Sequence, residues 1–248
     1  MTGTLAVRGL SVSFGGLLAV ENVDLDVALD SVTGLIGPNG AGKTTTIDAL
    51  CGFVAAHGTV MLGSRRLEGL EPHERARAGL ARTFQSIELF DDLTVAENVQ
   101  VAASIGHWWS TLLDLVAPFR SSRRVDVARL LELVGVPDLA AERPQALSHG
   151  QRRLVSVARA LATGPRLLLL DEPAAGLDPN ETVALAGLLR RLPATGVGVL
   201  LVDHDMSLVL DVCRDLVVLD VGSVIASGPT ATVASDPAVT AAYLGNAT

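Results

Sequence analysis

Apolar residues recur in β-rich runs through Thr4–Phe14 and Leu17–Val27, and Gly15–Gly16 between them predicts a hairpin turn. Val32–Ile36 is a short apolar strand that ends in a glycine loop, followed by a helix over Lys43–Cys51. Thr59–Leu62 predicts another strand, stopped by Gly63. From Thr94 to about Arg191 the pattern is mostly helical. The interruptions there are a loop near Ala117–Ser122, Pro137, Pro144 and one buried strand, Arg166–Leu170. The chain then alternates again: strand Val197–Val202, a helix from Asp205, strands Asp215–Leu219 and Ser223–Ala226, and two short helices. Strands alternating with helices predict an α/β fold with a largely parallel sheet, into which a helical lobe is inserted.

Composition narrows the class. Of the 248 residues, 49% are hydrophobic but only 3% aromatic, so the core must be aliphatic. Mean hydropathy is +0.42, yet no apolar run reaches the roughly 18 residues of a membrane span. The opening MTGTLAVRG lacks the basic and apolar regions of a secretory signal. Cys51 and Cys213 stand apart without metal-ligand spacing and read as reduced core residues of a cytosolic protein. A net charge of −8 argues against nucleic acid as a partner. The cluster Arg120, Arg123 and Arg124 is the local exception, read as a solvated loop, with contact to a partner or lipid headgroups as the alternative.

Two motifs carry chemistry. GPNGAGKTT comprises Gly37, Pro38, Asn39, Gly40, Ala41, Gly42, Lys43, Thr44 and Thr45, between a predicted strand and a predicted helix. This is the P-loop pattern in its expected context. Glycines let backbone N–H groups turn inward on phosphates, and the helix N-terminus adds positive partial charge. Lys43 is placed for the β and γ phosphates and the Thr44 hydroxyl for Mg²⁺. LLLLDEP, Leu167 to Pro173, reads as a strand buried on both faces. Asp171 at its end is placed to hold Mg²⁺ through water, and Glu172 to polarise a water attacking the γ phosphate.

LSHGQRR, Leu147 to Arg153, opens a helix from about His149. Ser148 with Gln151 three residues on has capping-box spacing, which makes Ser148 the N-cap. A helix N-terminus with a hydroxyl and Gly150 is an anion site.

The order of the pieces is Arg82-Thr-Phe-Gln85, a helical lobe, LSHGQ, LLLLDEP, Gly176-Leu-Asp178, and Leu201-Val-Asp-His204-Asp. Over nearly the whole chain this series resembles the ATP-binding cassette ATPases. The resemblance implies one cassette domain with a P-loop NTPase core. Residues 1–85 would hold an antiparallel β-subdomain and the P-loop part of the core, and 86–157 a helical subdomain carrying the signature. The rest of a RecA-like core would occupy 158–226 and a helical tail 227–248. It also implies that Gln85 senses Mg²⁺ and the γ phosphate, that adenine stacks on Phe14, and that His204 contacts the γ phosphate. Phe14 as a buried core residue is the competing reading. Asp178 would communicate across a dimer. Ser148, Gly150 and Gln151 would close over ATP held by a second subunit, with His149 facing outward; a pH-sensitive role is the alternative for that imidazole.

RTFQSIELFDDLTVAENV, DEPAAGLDPNET, DHDMSLVL and DPAVTAAYLG are similar to the ATPase subunits of branched-chain amino-acid importers. The implied partners are transmembrane permease subunits, a second ATPase subunit (another copy or a similar chain) and, indirectly, a substrate-binding protein, with the chain peripheral on the cytoplasmic face of the membrane. Ile87, Leu89 and Phe90 are the apolar candidates for permease contact; Trp108 and Trp109 are expected to be buried in the lobe. Importers of urea or short amides and lipopolysaccharide exporters share much of the pattern. A soluble cassette scaffold of the iron–sulfur assembly type is the rival from another class, and neighbouring genes would separate the two. A regulator that binds ATP without hydrolysing it is disfavoured by intact Lys43, Asp171, Glu172 and His204.

Overall fold

The computed structural model describes residues 3–83, 88–104 and 125–244. They divide into two compact units: residues 1–85, 166–175 and 189–248 form the first, and 86–165 with 176–188 the second. Gln85, Ile87, Trp108, Trp109 and the arginines at 120, 123 and 124 lie outside the described residues.

The first unit holds two sheets. One is antiparallel, with β1 (Thr4–Phe14), β2 (Leu17–Ala28), β4 (His57–Leu62) and β5 (Arg65–Arg66) in the order β2-β1-β4-β5. The expected hairpin turn joins β1 to β2, with Gly15 at φ 53° and Gly16 at φ 90°. Two successive positive φ values match the right-handed strand twist and favour glycine. One face of this sheet is fully covered: Leu5, Val7, Val23, Leu25, Val27, Val60 and Leu62 are buried.

The second sheet has the order β10-β9-β3-β8-β7-β6. Its strands are β3 (Val32–Ile36), β6 (Leu80–Thr83), β7 (Leu167–Asp171), β8 (Gly198–Val202), β9 (Asp215–Asp220) and β10 (Ser223–Pro229). Neighbours run parallel from β9 to β6, and β10 closes the edge antiparallel to β9. Every residue of β3, β7 and β8 is buried, which fits their largely apolar sequences. Helices α1 (Lys43–Cys51) and α7 (Met206–Val212) follow β3 and β8. Asp205 caps α7, its Oδ1 accepting from the amides of Ser207 at 2.9 Å and Leu208 at 3.2 Å. The tail is α8 (Thr230–Val233) and α9 (Pro237–Leu244).

Two elements escaped the sequence pattern. The two-residue β5 is too short to show periodicity, and α2 (Pro72–Arg77) has Glu71 at its N-cap position instead of a residue that usually caps. Arg75 of α2 is buried and donates to the carbonyls of Ala49 and Leu50, each at 2.8 Å, at the C-terminal end of α1. Burial pushes the Cys51 thiol up to about 12, and Cys213 likewise, so both stay protonated in the core.

The second unit is helical, with α3 (Val95–Ser104), α4 (Val127–Val134) and α5 (His149–Ala162) packed together. Helix α6 (Pro179–Arg191) starts within it. Asn98, fully buried on α3, accepts from Phe90 N at 2.9 Å and donates to the carbonyls of Phe90, Leu93 and Thr94. Arg159 on α5 donates to Glu88 O and stacks over the Phe90 ring at 5.1 Å. Two side chains therefore fix the loop that presents Phe90 to solvent.

Candidate nucleotide site

Parallel pairing decides where the chemistry collects. Because β3, β8 and β7 are adjacent and parallel, the loops after Ile36, Val202 and Asp171 leave the same sheet edge side by side. Ligands bind at such carboxyl edges in open α/β sheets. The first unit thereby brings together the loop Gly37–Gly42, Lys43, Thr44, Thr45, Asp171, Glu172 and His204.

The glycine loop is shaped by its surroundings. A Cβ on Gly37 would lie 2.1 Å from Leu219 O, and one on Gly42 would lie 2.7 Å from Ala19 O, so neither position has room for a side chain. Gly42, at φ 96°, is the N-cap of α1, and the first intrahelical bond is Thr46 N to Gly42 O at 2.8 Å. The amides of Lys43, Thr44 and Thr45 precede that bond and point out of the helix end, which is where an anion is held. Lys43 Nζ folds back over the loop and donates to Gly37 O and Pro38 O, both at 2.8 Å. Burial lowers the pKa of this ammonium, while the charges of Glu172 and Asp171 hold it up. Pro38 and Ala41 complete the turn, with Ala41 N donating to Pro38 O; Asn39 and Gly40 are exposed.

Phe14 is 49% exposed at the hairpin tip, which excludes the core reading. The strand after that tip lies against the loop at Gly42, which Ala19 O approaches, and against the β9–β10 turn, where Glu21 N donates to Gly222 O.

Asp171 is the last residue of β7 and is buried; burial raises its carboxyl above the ordinary range, while the Arg82 guanidinium draws it down. Arg82 Nη2 donates to Asp171 Oδ2 at 3.0 Å, and its Nη1 pairs with Asp48 of α1. Glu172 takes a φ of 47°, a left-handed conformation that is costly for a residue with a side chain. Its N–H is held by Val202 O at 2.7 Å. His204 is exposed, its Nδ1 3.8 Å from Asp203 Oδ1.

Sequence reasoning missed Asp203 and the pairing of Arg82 with Asp171. Asp203 is 1% exposed and accepts from Ala174 N and Asp205 N, both at 3.0 Å, so it ties the loop after β7 to the loop after β8. An acid directly after the apolar strand β8 was the available signal. Asp203→Ala should leave two amides without their acceptor and cost about 1–3 kcal/mol. A thermal melt measures the loss, with ATP affinity expected to hold because the glycine loop is untouched.

The second unit carries the other candidates. Ser148 is the N-cap of α5 with the reciprocal bonds its spacing predicts: Gln151 N to Ser148 Oγ at 3.1 Å and Ser148 N to Gln151 Oε1 at 2.9 Å. Gly150 is buried, while His149 is exposed with its ring near Gly176. Asp178 caps α6, accepting from Glu181 N at 2.9 Å. Gln85 falls outside the described residues.

Among the described residues, no group of three or more His, Cys, Asp and Glu side chains forms a cage for a metal ion. A hard cation would instead find the Asp171 carboxylate and the Thr44 hydroxyl, oxygen donors of the kind Mg²⁺ takes beside phosphates.

Comparison with known proteins places the chain in a family. The family model described as ABC transporter matches residues 20–175, and the one described as branched-chain amino acid ATP-binding cassette transporter matches 223–247. The high-affinity branched-chain amino acid transport ATP-binding protein of Pseudomonas aeruginosa is 41% identical over 98% of both chains. The lipopolysaccharide export system ATP-binding protein of Acidithiobacillus ferridurans is 36% identical over 99% of this chain and 98% of its own. A crystal structure of an ATP-binding cassette of an ABC transporter in its ADP conformation matches with a TM-score of 0.83 and 31% identity, covering 99% of this chain and 100% of that one. On the family match over residues 20–175, the 41% identity over nearly the whole chain and the shared fold, the chain belongs to the ABC transporter family, as an ATP-binding and ATP-hydrolysing subunit.

Proposed function

We propose that this subunit drives the import of branched-chain amino acids through separate permease subunits, acting as a pair that sandwiches ATP. The observation that carries the ATPase part is the convergence of Lys43, Asp171, Glu172 and His204 at one edge of one sheet.

Lys43 and the amides after Gly42 hold the β and γ phosphates, and Phe14 takes the adenine by stacking. Thr44, Asp171 and Gln85 are the residues for Mg²⁺, which when bound neutralises charge on the phosphates. Glu172 polarises the attacking water, and His204 contacts the γ phosphate. Ser148, Gly150 and Gln151 of a second subunit close the site, with Asp178 at the subunit boundary. Closure of the pair moves the permeases, and hydrolysis resets it. Residues 86–157 act as the helical subdomain in this cycle.

Among the described residues no helix is long and apolar enough to cross a membrane, and the permeases supply the passage. We assign the docking surface to Leu89 and the exposed Phe90, on the loop that Asn98 and Arg159 pin. The subunit works on the cytoplasmic face, with a binding protein delivering cargo on the other side.

The cargo reading rests on the match of residues 223–247 and on the higher identity to the amino-acid transport protein than to the lipopolysaccharide export protein. Co-purification with its native permeases, followed by ATPase assays with a loaded binding protein, tests it. Leucine, isoleucine or valine should stimulate turnover. Stimulation by lipopolysaccharide instead, or by none of the three amino acids, would reject the cargo.

A further inference from the structure

One carboxylate occupies the donors at the start of α5. Glu181 Oε1 accepts from Ser148 Oγ at 2.8 Å and from Gly150 N at 3.2 Å. Its Oε2 accepts from Asp178 N at 3.1 Å. Glu181 thus bridges the N-terminal ends of α5 and α6, both favourable places for an anion. The fit is close: a Cβ on Gly150 would stand 2.3 Å from Glu181 Cδ, so the absent side chain is what lets the carboxylate reach the backbone. Beside it lies a cavity of about 400 Å³ lined by Ser148, Gly150, Gln151, Leu154, Asn180 and Glu181, giving the side chain space to swing.

We propose that Glu181 is an internal latch on the signature, a carboxylate that holds the Ser148 and Gly150 donors until a partner's ATP displaces it. This rests on the reading that the signature binds the γ phosphate of a second subunit. A hydroxyl hydrogen and an amide hydrogen given to Glu181 are unavailable to a phosphate, and two anions sharing those donors repel. Closure of the pair therefore requires the carboxylate to leave. Its departure also frees Asp178 N, so arrival of phosphate at Ser148 is felt at Asp178 through one side chain. Glu181 is in this sense a positioning residue: it sets how much ATP is needed to pair the subunits and takes no part in the chemistry.

The test uses the full chain in a Glu172→Gln background, where pairing is read without hydrolysis. Pairing is followed by light scattering as Mg²⁺-ATP is raised. Glu181→Gln, which keeps the shape but loses the charge, and Glu181→Ala, which removes both, should lower the ATP concentration for half-maximal pairing. The expected change is about three- to tenfold, the order of one net hydrogen bond. A merely structural role for Glu181 predicts the opposite, a loss of melting temperature and weaker pairing. Half-maximal pairing that is unchanged or raised in both variants overturns the latch. Ser148→Ala in the same background separates the two levels. If it weakens pairing while the Glu181 variants do not strengthen it, the latch alone fails; if it leaves pairing untouched, the signature reading fails and the latch with it.

Discussion

Replacing Glu172 by glutamine is expected to cut ATP turnover by about 10²–10⁴-fold, the range lost with a general base. ATP binding should be retained. The backbone argues that this side chain is placed deliberately. A non-glycine residue at φ 47° costs about 1–3 kcal/mol. The structure meets that cost by holding Glu172 N on Val202 O and Ala175 N on Glu172 O. Both anchors are main-chain, so glutamine inherits the conformation and the volume and loses only the base. Steady-state ATPase assays with the permeases present, alongside nucleotide titrations, give both numbers. Undiminished turnover would remove Glu172 from its role.

Arg82→Met has the larger consequence for the fold. Arg82 is nearly buried between Asp48 and Asp171, and its Nη2 bond to Asp171 is 3.0 Å long. Methionine fills much of the space but leaves a buried carboxylate without its cation, a change worth about 3–5 kcal/mol. Against a total stability of about 5–15 kcal/mol, that lowers the melting temperature markedly. The sign with pH follows from burial, which already raises the Asp171 carboxyl above its ordinary range, with Arg82 opposing. Without Arg82 the folded-state value rises further above the unfolded one, so the folded chain holds the proton more tightly. The variant's deficit is then smallest at low pH and grows as pH rises through the folded-state value. Melts of both proteins between pH 5 and pH 8 should diverge upward in pH. A deficit independent of pH would mean that Asp171 is not the group left exposed to the loss.

The two residues also show what a sequence can disclose. Lys43, Asp171 and Glu172 were legible because each sits in a short contiguous motif next to an apolar strand. Ser148 was legible because a capping box is a local spacing, and its two bonds are present. Arg82 was visible only as the start of a motif, since its partner Asp171 is 89 residues away and no local pattern encodes the pairing. Glu181 reaches back 33 residues to Ser148 for the same reason. Asp203 looks like an ordinary strand-end acid until its two amide donors, one of them 29 residues earlier, are known. In the fold, the apolar runs announced β3, β7 and β8, while the antiparallel return of β10 was not expressed in any period. Strand direction at a sheet edge depends on the connection, and Val221 and Gly222 supply a tight turn there.

In the proposed cycle the nucleotide site is completed by the signature of a second subunit. The most direct measurement is the molar mass of the Glu172→Gln chain in saturating Mg²⁺-ATP, with and without Ser148→Arg. Twice the 25.7 kDa of one chain is expected for Glu172→Gln alone, and 25.7 kDa once arginine blocks the signature. A Glu172→Gln chain that binds ATP yet stays single, or a Ser148→Arg chain that pairs as readily, would contradict it.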